Sequence, residues 1–161
     1  MKEVTEVLRL LENDARISTE QIAGMLGQEE KEVSRIIREC EEKKLINGYF
    51  TLIDWDKLGD EKVSAVIEVK ISPQRDVGFD KVAERIYRFP EVRSVKLMSG
   101  DYDLLVVIEG GTMKEVAHFV SFKLATMKYV MSTATHFVLK TYKQHGIIVD
   151  EVEDRRQVVM P

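Results

Sequence analysis

The sequence predicts an α+β fold with two domains: a small helical domain, then a domain in which an antiparallel β-sheet carries two helices. Residues 1–48 show helical spacing of apolar residues throughout, whereas residues 63–143 alternate between strand-like and helix-like patterns. A chain of 161 residues is long enough for two such domains. We expect a linker strand and hinge at 49–62 to join them, and a C-terminal tail at 144–161 to follow.

Composition and charge exclude several classes of protein. The net charge is −4, and no apolar run approaches the roughly 20 residues that a membrane-spanning helix needs. We therefore expect a cytoplasmic protein with no membrane partner. Cys40 is the one cysteine, which excludes an intrachain disulfide framework and a cysteine-based zinc site. The three histidines lack metal-site spacing and no glycine-rich phosphate motif is present, so we predict no metal, no cofactor and no catalytic residue.

Three helices with a tight turn between the second and the third are predicted in residues 1–48. Ser18, followed three residues later by Gln21, has the spacing of a capping box and predicts the start of the second helix. Gly27 predicts its end. The third helix is expected over 29–44. Two helices joined by a short glycine-containing turn are typical of the helix-turn-helix motif.

The third helix carries the candidate nucleic-acid contacts. At 100° per residue, Lys31, Arg35 and Arg38 fall within about 60° of arc, opposite the apolar side. A recognition helix uses such a face to meet phosphates and base edges. Yet residues 1–48 hold 8 basic and 11 acidic residues, so the alternative that this helix face contacts only solvent remains open. The predicted DNA-binding set is Lys31, Glu32, Ser34, Arg35 and Arg38.

The second domain has the predicted order β-α-β-β-α-β, that of a ferredoxin-like fold. Strands are expected at 63–71, 92–99, 104–108 and 133–142, with helices between the first two and the last two. The third strand, Leu104–Ile108, is apolar on both faces, whereas the helices cover only one face of the sheet. A second copy of the chain is the economical cover for the other face.

Several stretches, in this order and spacing, resemble the Lrp/AsnC (feast/famine) family of transcriptional regulators over about residues 1–143. They are Leu26-Gly27, Glu41 to Tyr49, Asp56 to Gly59, Ser99 to Leu105 and Thr133 to Lys140. The resemblance implies a DNA-binding homo-oligomer, a dimer that in the family often assembles into octamers. It also implies a small-molecule effector, commonly an amino acid, held between subunits.

The same resemblance implies an effector site near the loop after the second strand. Asp101 and Asp103 would receive an α-ammonium group, and backbone N–H groups near Gly100 would hold the α-carboxylate. Leu97 and the last strand would line the side-chain pocket. The set carried over is Leu97, Gly100, Asp101, Tyr102, Asp103, His136, Phe137 and Val138.

Two other classes of function remain open from the sequence. One is an effector-binding or assembly protein with little DNA binding, favoured by the acidic N-terminal domain. The other is an enzyme. The two-domain plan also resembles that of tetrapyrrole-decarboxylating proteins, which use histidines, and His136 is the residue that could take that role.

Overall fold

The computed structural model describes residues 2–60, 62–72 and 78–149. The chain divides into two compact units, on either side of the Ile53–Asp54 bond. No helix in these described ranges is long and apolar enough to cross a membrane.

The N-terminal unit contains three helices around a small apolar core. They are α1 (Lys2–Asn13), α2 (Thr19–Leu26) and α3 (Glu30–Glu42). Each contributes an apolar face, and the buried residues are Val7, Ile22, Ala23, Val33, Ile36 and Cys40. Cys40 is thus a core residue, as its place on the apolar face of α3 predicts.

The turn between α2 and α3 has the predicted caps. Ser18 Oγ accepts from the Gln21 N–H at 3.1 Å, and the Gln21 side chain accepts from the Ser18 N–H at 3.0 Å, which closes the capping box. Gly27 ends α2 with a φ of +64°, in the left-handed region where a side chain is strained. α3 is shorter than expected because Glu29 gives no side-chain cap and Lys44 turns to a φ of +58°.

The expected linker strand is not formed in the single chain. Residues 45–53 contain no regular secondary structure, and a short 3₁₀ turn follows at Asp56–Leu58. A strand needs a neighbour for its N–H and C=O groups, and no strand within the described residues pairs with this segment. The apolar spacing that predicted the strand cannot supply that neighbour.

The C-terminal unit has the predicted β-α-β-β-α-β order. The four strands of this pattern are β1 (Val63–Ile71), β2 (Val92–Leu97), β3 (Leu104–Gly110) and β4 (Val130–Phe137). They form one antiparallel sheet in the order β2-β3-β1-β4. β4 begins three residues before the expected Thr133 and ends five before Tyr142, so the bounds of this strand were the least well predicted of the four.

Two helices cover one face of this sheet and form the larger core. They are α4 (Phe79–Tyr87) and α5 (Met113–His118), and α5 continues as a π-helical segment, Phe119–Leu124. Val116, Val120 and Leu124 are buried, whereas Met113, the first residue after the Thr112 cap, is 55% exposed. Phe119, not predicted to be buried, packs edge-on against Phe89 with ring centroids 5.4 Å apart.

The opposite face of the sheet, here called the outer face, carries apolar side chains at its centre. Val66 on β1 is paired with Val107 on β3, and Leu105 lies two residues before Val107 on the same side. All three are half-buried, and the helices that pack on the sheet lie on the other side. This is the two-faced apolar character that the sequence predicts for β3.

The chain beyond β4 forms a small hairpin of its own. β5 (Lys143–Gln144) pairs with β6 (Ile147–Ile148) across a turn at Gly146. Ile147 and Ile148 are exposed. The rest of the predicted tail, residues 150–161, lies outside the described residues.

Candidate DNA interface and effector site

The exposed face of α3 carries the predicted basic residues together. A groove of about 390 Å³ is lined by Glu30, Lys31, Ser34, Arg35 and Arg38. Thr19 of α2 donates from Oγ1 to Glu30 Oε1 at 2.7 Å, which ties the start of α3 to α2. Within the described part of the chain, Lys31 and Arg38 have no acidic partner, so both cations are available to a ligand.

Arg35 differs from these two cations because acidic side chains hold it on both sides. Its Nε and Nη2 donate to the two carboxylate oxygens of Glu32, at 3.0 and 2.5 Å. Its Nη1 donates to Glu39 Oε1 at 2.6 Å, and Lys43 Nζ donates to Glu39 Oε2 at 3.1 Å. These four residues form one line along the helix, here called the acid–base ladder.

The ladder shifts the pKa of its members in the directions that ion pairs require. Hydrogen bonding to Arg35 lowers the pKa of Glu32 from its usual 4.5. Hydrogen bonding to Lys43, and after it the charges of Lys43 and Arg35, lower the pKa of Glu39. Glu32 in turn raises the pKa of Arg35. Because the pKa of each carboxyl is below 4.5, both remain charged as the pH falls to that value.

Arg35→Ala should therefore change the pKa of Glu32 and the pKa of Glu39 by different amounts. Glu32 loses the main cause of its lowered pKa, so its pKa should rise toward the ordinary value. Glu39 keeps Lys43, so its pKa should rise less. Carboxyl-carbon NMR titration of the wild type and of Arg35→Ala measures both changes. Arg88→Ala, which breaks a similar pair with Glu84 at the end of α4, is the control and should leave the titration curves of Glu32 and Glu39 unchanged. An unchanged Glu32 titration curve would show that the pair does not persist in solution.

The sequence analysis named Glu32 and Arg35 as DNA contacts but missed their connection to Glu39 and Lys43. The signal was present in the spacing 32, 35, 39 and 43, where charges alternate in sign at intervals of three and four residues. Such neighbours meet on a helix surface.

The predicted effector loop lies between β2 and β3, and Asp103 is held inside its base. Asp103 Oδ2 accepts from the Ile71 N–H at 2.7 Å, and the Asp103 N–H donates to Val69 O at 3.0 Å. Met98 N–H donates to Asp103 O at 2.8 Å. Asp103 therefore joins the hairpin to the end of β1, whereas Asp101 is exposed. Gly100 has a φ of +132°, a conformation that other residues rarely adopt.

The other predicted effector residues do not lie together in one chain. Leu97 is on β2 and His136 on β4, the two edge strands of the sheet, and three strand spacings of about 4.8 Å separate them. His136 is on the outer face, where its Nε2 lies 3.4 Å from Glu68 Oε1. Phe137 does not share the face of His136, because successive residues of a strand face opposite ways, and Phe137 packs on the helix-covered core.

Comparison with known proteins matches both units. Residues 5–47 match a winged helix-turn-helix DNA-binding model, and residues 64–148 match the Lrp/AsnC ligand-binding domain model, which spans more than half of the chain. The chain belongs to the Lrp/AsnC family. This family is one of transcription regulators, so the chain has a DNA-binding domain and a small-molecule-binding domain.

Relatives of known sequence support the same assignment. The chain is 51% identical over 157 residues to the uncharacterized HTH-type transcriptional regulator YugG of Bacillus subtilis, covering 97% of this chain and 95% of that protein. It is 31% identical to the HTH-type transcriptional regulator LrpA of Pyrococcus horikoshii, covering 85% and 94% of the two chains.

Solved structures confirm the fold. The complex of the transcriptional regulator NMB0573 from Neisseria meningitidis with L-Met has a TM-score of 0.72 at 22% identity, covering 89% of this chain and 92% of that chain. Escherichia coli AsnC has a TM-score of 0.69 at 17% identity, covering 89% and 95%. A helix-turn-helix domain followed by a ferredoxin-like domain is therefore the fold of this member of the Lrp/AsnC family.

Proposed function

We propose that this regulator binds double-stranded DNA through the exposed face of α3 as a homodimer, and that an amino acid bound by its C-terminal domain modulates that binding. The groove lined by Lys31, Ser34, Arg35 and Arg38 carries the first part of the proposal. It presents two cations that are unpaired in the described part of the chain, Lys31 and Arg38, beside the charge-balanced Arg35, on a domain that is otherwise acidic. A local patch is what steers an acidic protein to phosphates. Glu32 belongs to this interface through Arg35.

Several observations support the effector and the assembly. NMB0573, with the same fold, has been solved with L-Met. The hairpin at Gly100 to Asp103 is built around a glycine whose φ of +132° would strain any other residue. Leu97 and His136 would need a second subunit to meet. Dimers, and octamers built from them, would supply that subunit. A chromosomal regulator with this partner set works in the cytoplasm, and we assign it no catalytic role.

Lys31→Ala combined with Arg38→Ala tests the DNA interface. Genomic fragments bound by the purified wild type are first selected, with and without a pool of amino acids. On a selected fragment, the double variant should bind more weakly and show a flatter salt dependence. Each lost phosphate contact lowers the slope by about 0.9, so two contacts remove about 2 per protomer.

The control carries the same loss of charge in the other unit, Lys81→Ala with Arg85→Ala on α4. If both double variants lose affinity equally, bulk charge rather than the α3 face governs binding. If wild type selects no fragment in either condition, the second candidate function is favoured: an effector-binding assembly protein with little DNA contact. The net charge of −3 over residues 1–48, where 8 basic face 11 acidic residues, is the observation on its side.

A further inference from the structure

We propose that Arg35 reads a guanine in the major groove and that Glu32 and Glu39 are positioning residues that hold its guanidinium for that contact. The inference rests on the proposed function, because it specifies which residue of the α3 face supplies sequence selectivity. It assigns the free cations Lys31 and Arg38 to phosphates, and the charge-balanced Arg35 to a base.

The hydrogen-bond donors of Arg35 leave two N–H groups for a further acceptor. A guanidinium has five N–H donors. Glu32 takes one from Nε and one from Nη2, and Glu39 takes one from Nη1. One N–H therefore remains on each terminal nitrogen. Guanine presents O6 and N7 on its major-groove edge, the acceptor pair that arginine binds with two donors.

The charge of the ladder also favours a base over a phosphate. Glu32 and Glu39 balance Arg35 and Lys43, so the line carries no net charge. A phosphate approaching Arg35 would meet two carboxylates, whose pKa is lowered and which are therefore ionised at neutral pH. A guanine edge has no formal charge and avoids that repulsion.

The ladder can orient Arg35 without being a stability device. Its side chains are well exposed, 60% for Arg35 and 41% for each glutamate. Exposed ion pairs of this kind add little to the free energy of unfolding. They do restrict a long side chain to one arrangement, and a donor fixed in advance binds its acceptor with less loss of conformational freedom.

The alternative is that Glu32 and Glu39 simply repel DNA. The two ideas differ in one ratio, the affinity for a selected site divided by the affinity for unrelated DNA. A purely repulsive carboxylate, once neutralised, raises both affinities by the same factor. A positioning carboxylate, once neutralised, raises the affinity for unrelated DNA but lowers the ratio.

The test replaces each guanine of a selected site in turn with 7-deazaguanine, which lacks the N7 acceptor but still pairs with cytosine. Wild type should lose roughly tenfold in affinity at one G·C pair in each half-site. Arg35→Ala should bind both versions of that site equally, because alanine has no donor for guanine N7 or O6. Arg38→Ala should keep the wild-type sensitivity.

Glu32→Gln and Glu39→Gln are then compared on the selected site and on unrelated DNA. Both should lower the ratio, and Glu84→Gln, which breaks the intrahelical pair with Arg88 on α4, should leave it unchanged. An Arg35→Ala protein that still discriminates 7-deazaguanine overturns the assignment of Arg35. Glutamine variants that keep the ratio overturn the positioning role. If wild type selects no DNA, the proposed function and this inference both fall, whereas DNA binding that needs Lys31 and Arg38 but not Arg35 removes the inference alone.

Discussion

Leu105→Lys is expected to convert the proposed homodimer to a folded monomer and to weaken its DNA binding. Leu105 lies on the outer face of β3, beside Lys96 of β2 and Glu68 of β1. In a two-fold interface, the substitution buries a lysine ammonium group on both subunits, and the neighbouring Glu68 carboxylate offsets only part of the cost of removing that charge from water. We expect the dimer dissociation constant to rise by about 100-fold or more, that is by about 2.7 kcal/mol or more.

The loss of DNA binding follows from the geometry of two half-sites. A dimer engages the second half-site from a position already close to it, so a monomer forfeits that gain in effective concentration. Sedimentation velocity at micromolar concentration measures the assembly, and fluorescence anisotropy with a selected fragment measures the affinity.

Met113→Lys is the matched control, because it also introduces a lysine at an apolar residue of the same unit. Met113 is 55% exposed and belongs to α5, on the other side of the sheet. This variant should sediment and bind DNA as wild type does. A Leu105→Lys protein that still sediments as a dimer would remove the outer face from the interface. Circular dichroism checks that both variants are folded.

The order of elements was predictable from the sequence because it depends on local signals. The alternation of apolar residues from Val63 to Ile71, interrupted only by Val66, predicts β1, and the cap residues Ser18 and Gln21 predict where α2 begins. Turn residues around Gly100 predict the β2–β3 hairpin. Each of these signals acts within a few residues of chain, so no knowledge of the tertiary structure is needed to interpret them.

The features that escaped prediction depend on contacts between distant residues. The segment Tyr49–Ile53 has strand-like composition, but pairing needs a neighbouring strand, and none of the described residues provides one. The face occupied by Phe137 follows from the register of β4 against β1, which a pattern alone does not fix. The ladder on α3 could have been predicted, because its charges recur at helical spacing. The hydrogen bond from the Ile71 N–H to Asp103 could not, because the two residues are 32 positions apart in the sequence.

Asp103 is the position at which structural and ligand roles can be told apart. Replacing it with alanine removes the acceptor of the Ile71 N–H, and Ile71 is only 3% exposed. An unpaired buried donor costs about 1–3 kcal/mol, so the free energy of unfolding should fall by that amount in urea denaturation. Asp103→Asn keeps a side-chain oxygen for the Ile71 N–H, and its stability should be closer to that of wild type.

The asparagine variant then tests the effector contact without the structural loss. Wild type is first screened by thermal shift against the twenty amino acids, and the one that binds is titrated by calorimetry. If the Asp103 carboxylate receives the α-ammonium, Asp103→Asn should bind that amino acid at least about tenfold more weakly, since a charge-assisted hydrogen bond becomes a neutral one. Asp101→Asn, on the exposed part of the same loop, tests whether the carboxylate that binds the α-ammonium group is that of Asp101 instead. A stable Asp103→Asn protein with the wild-type isotherm would restrict Asp103 to holding the β2–β3 hairpin against β1.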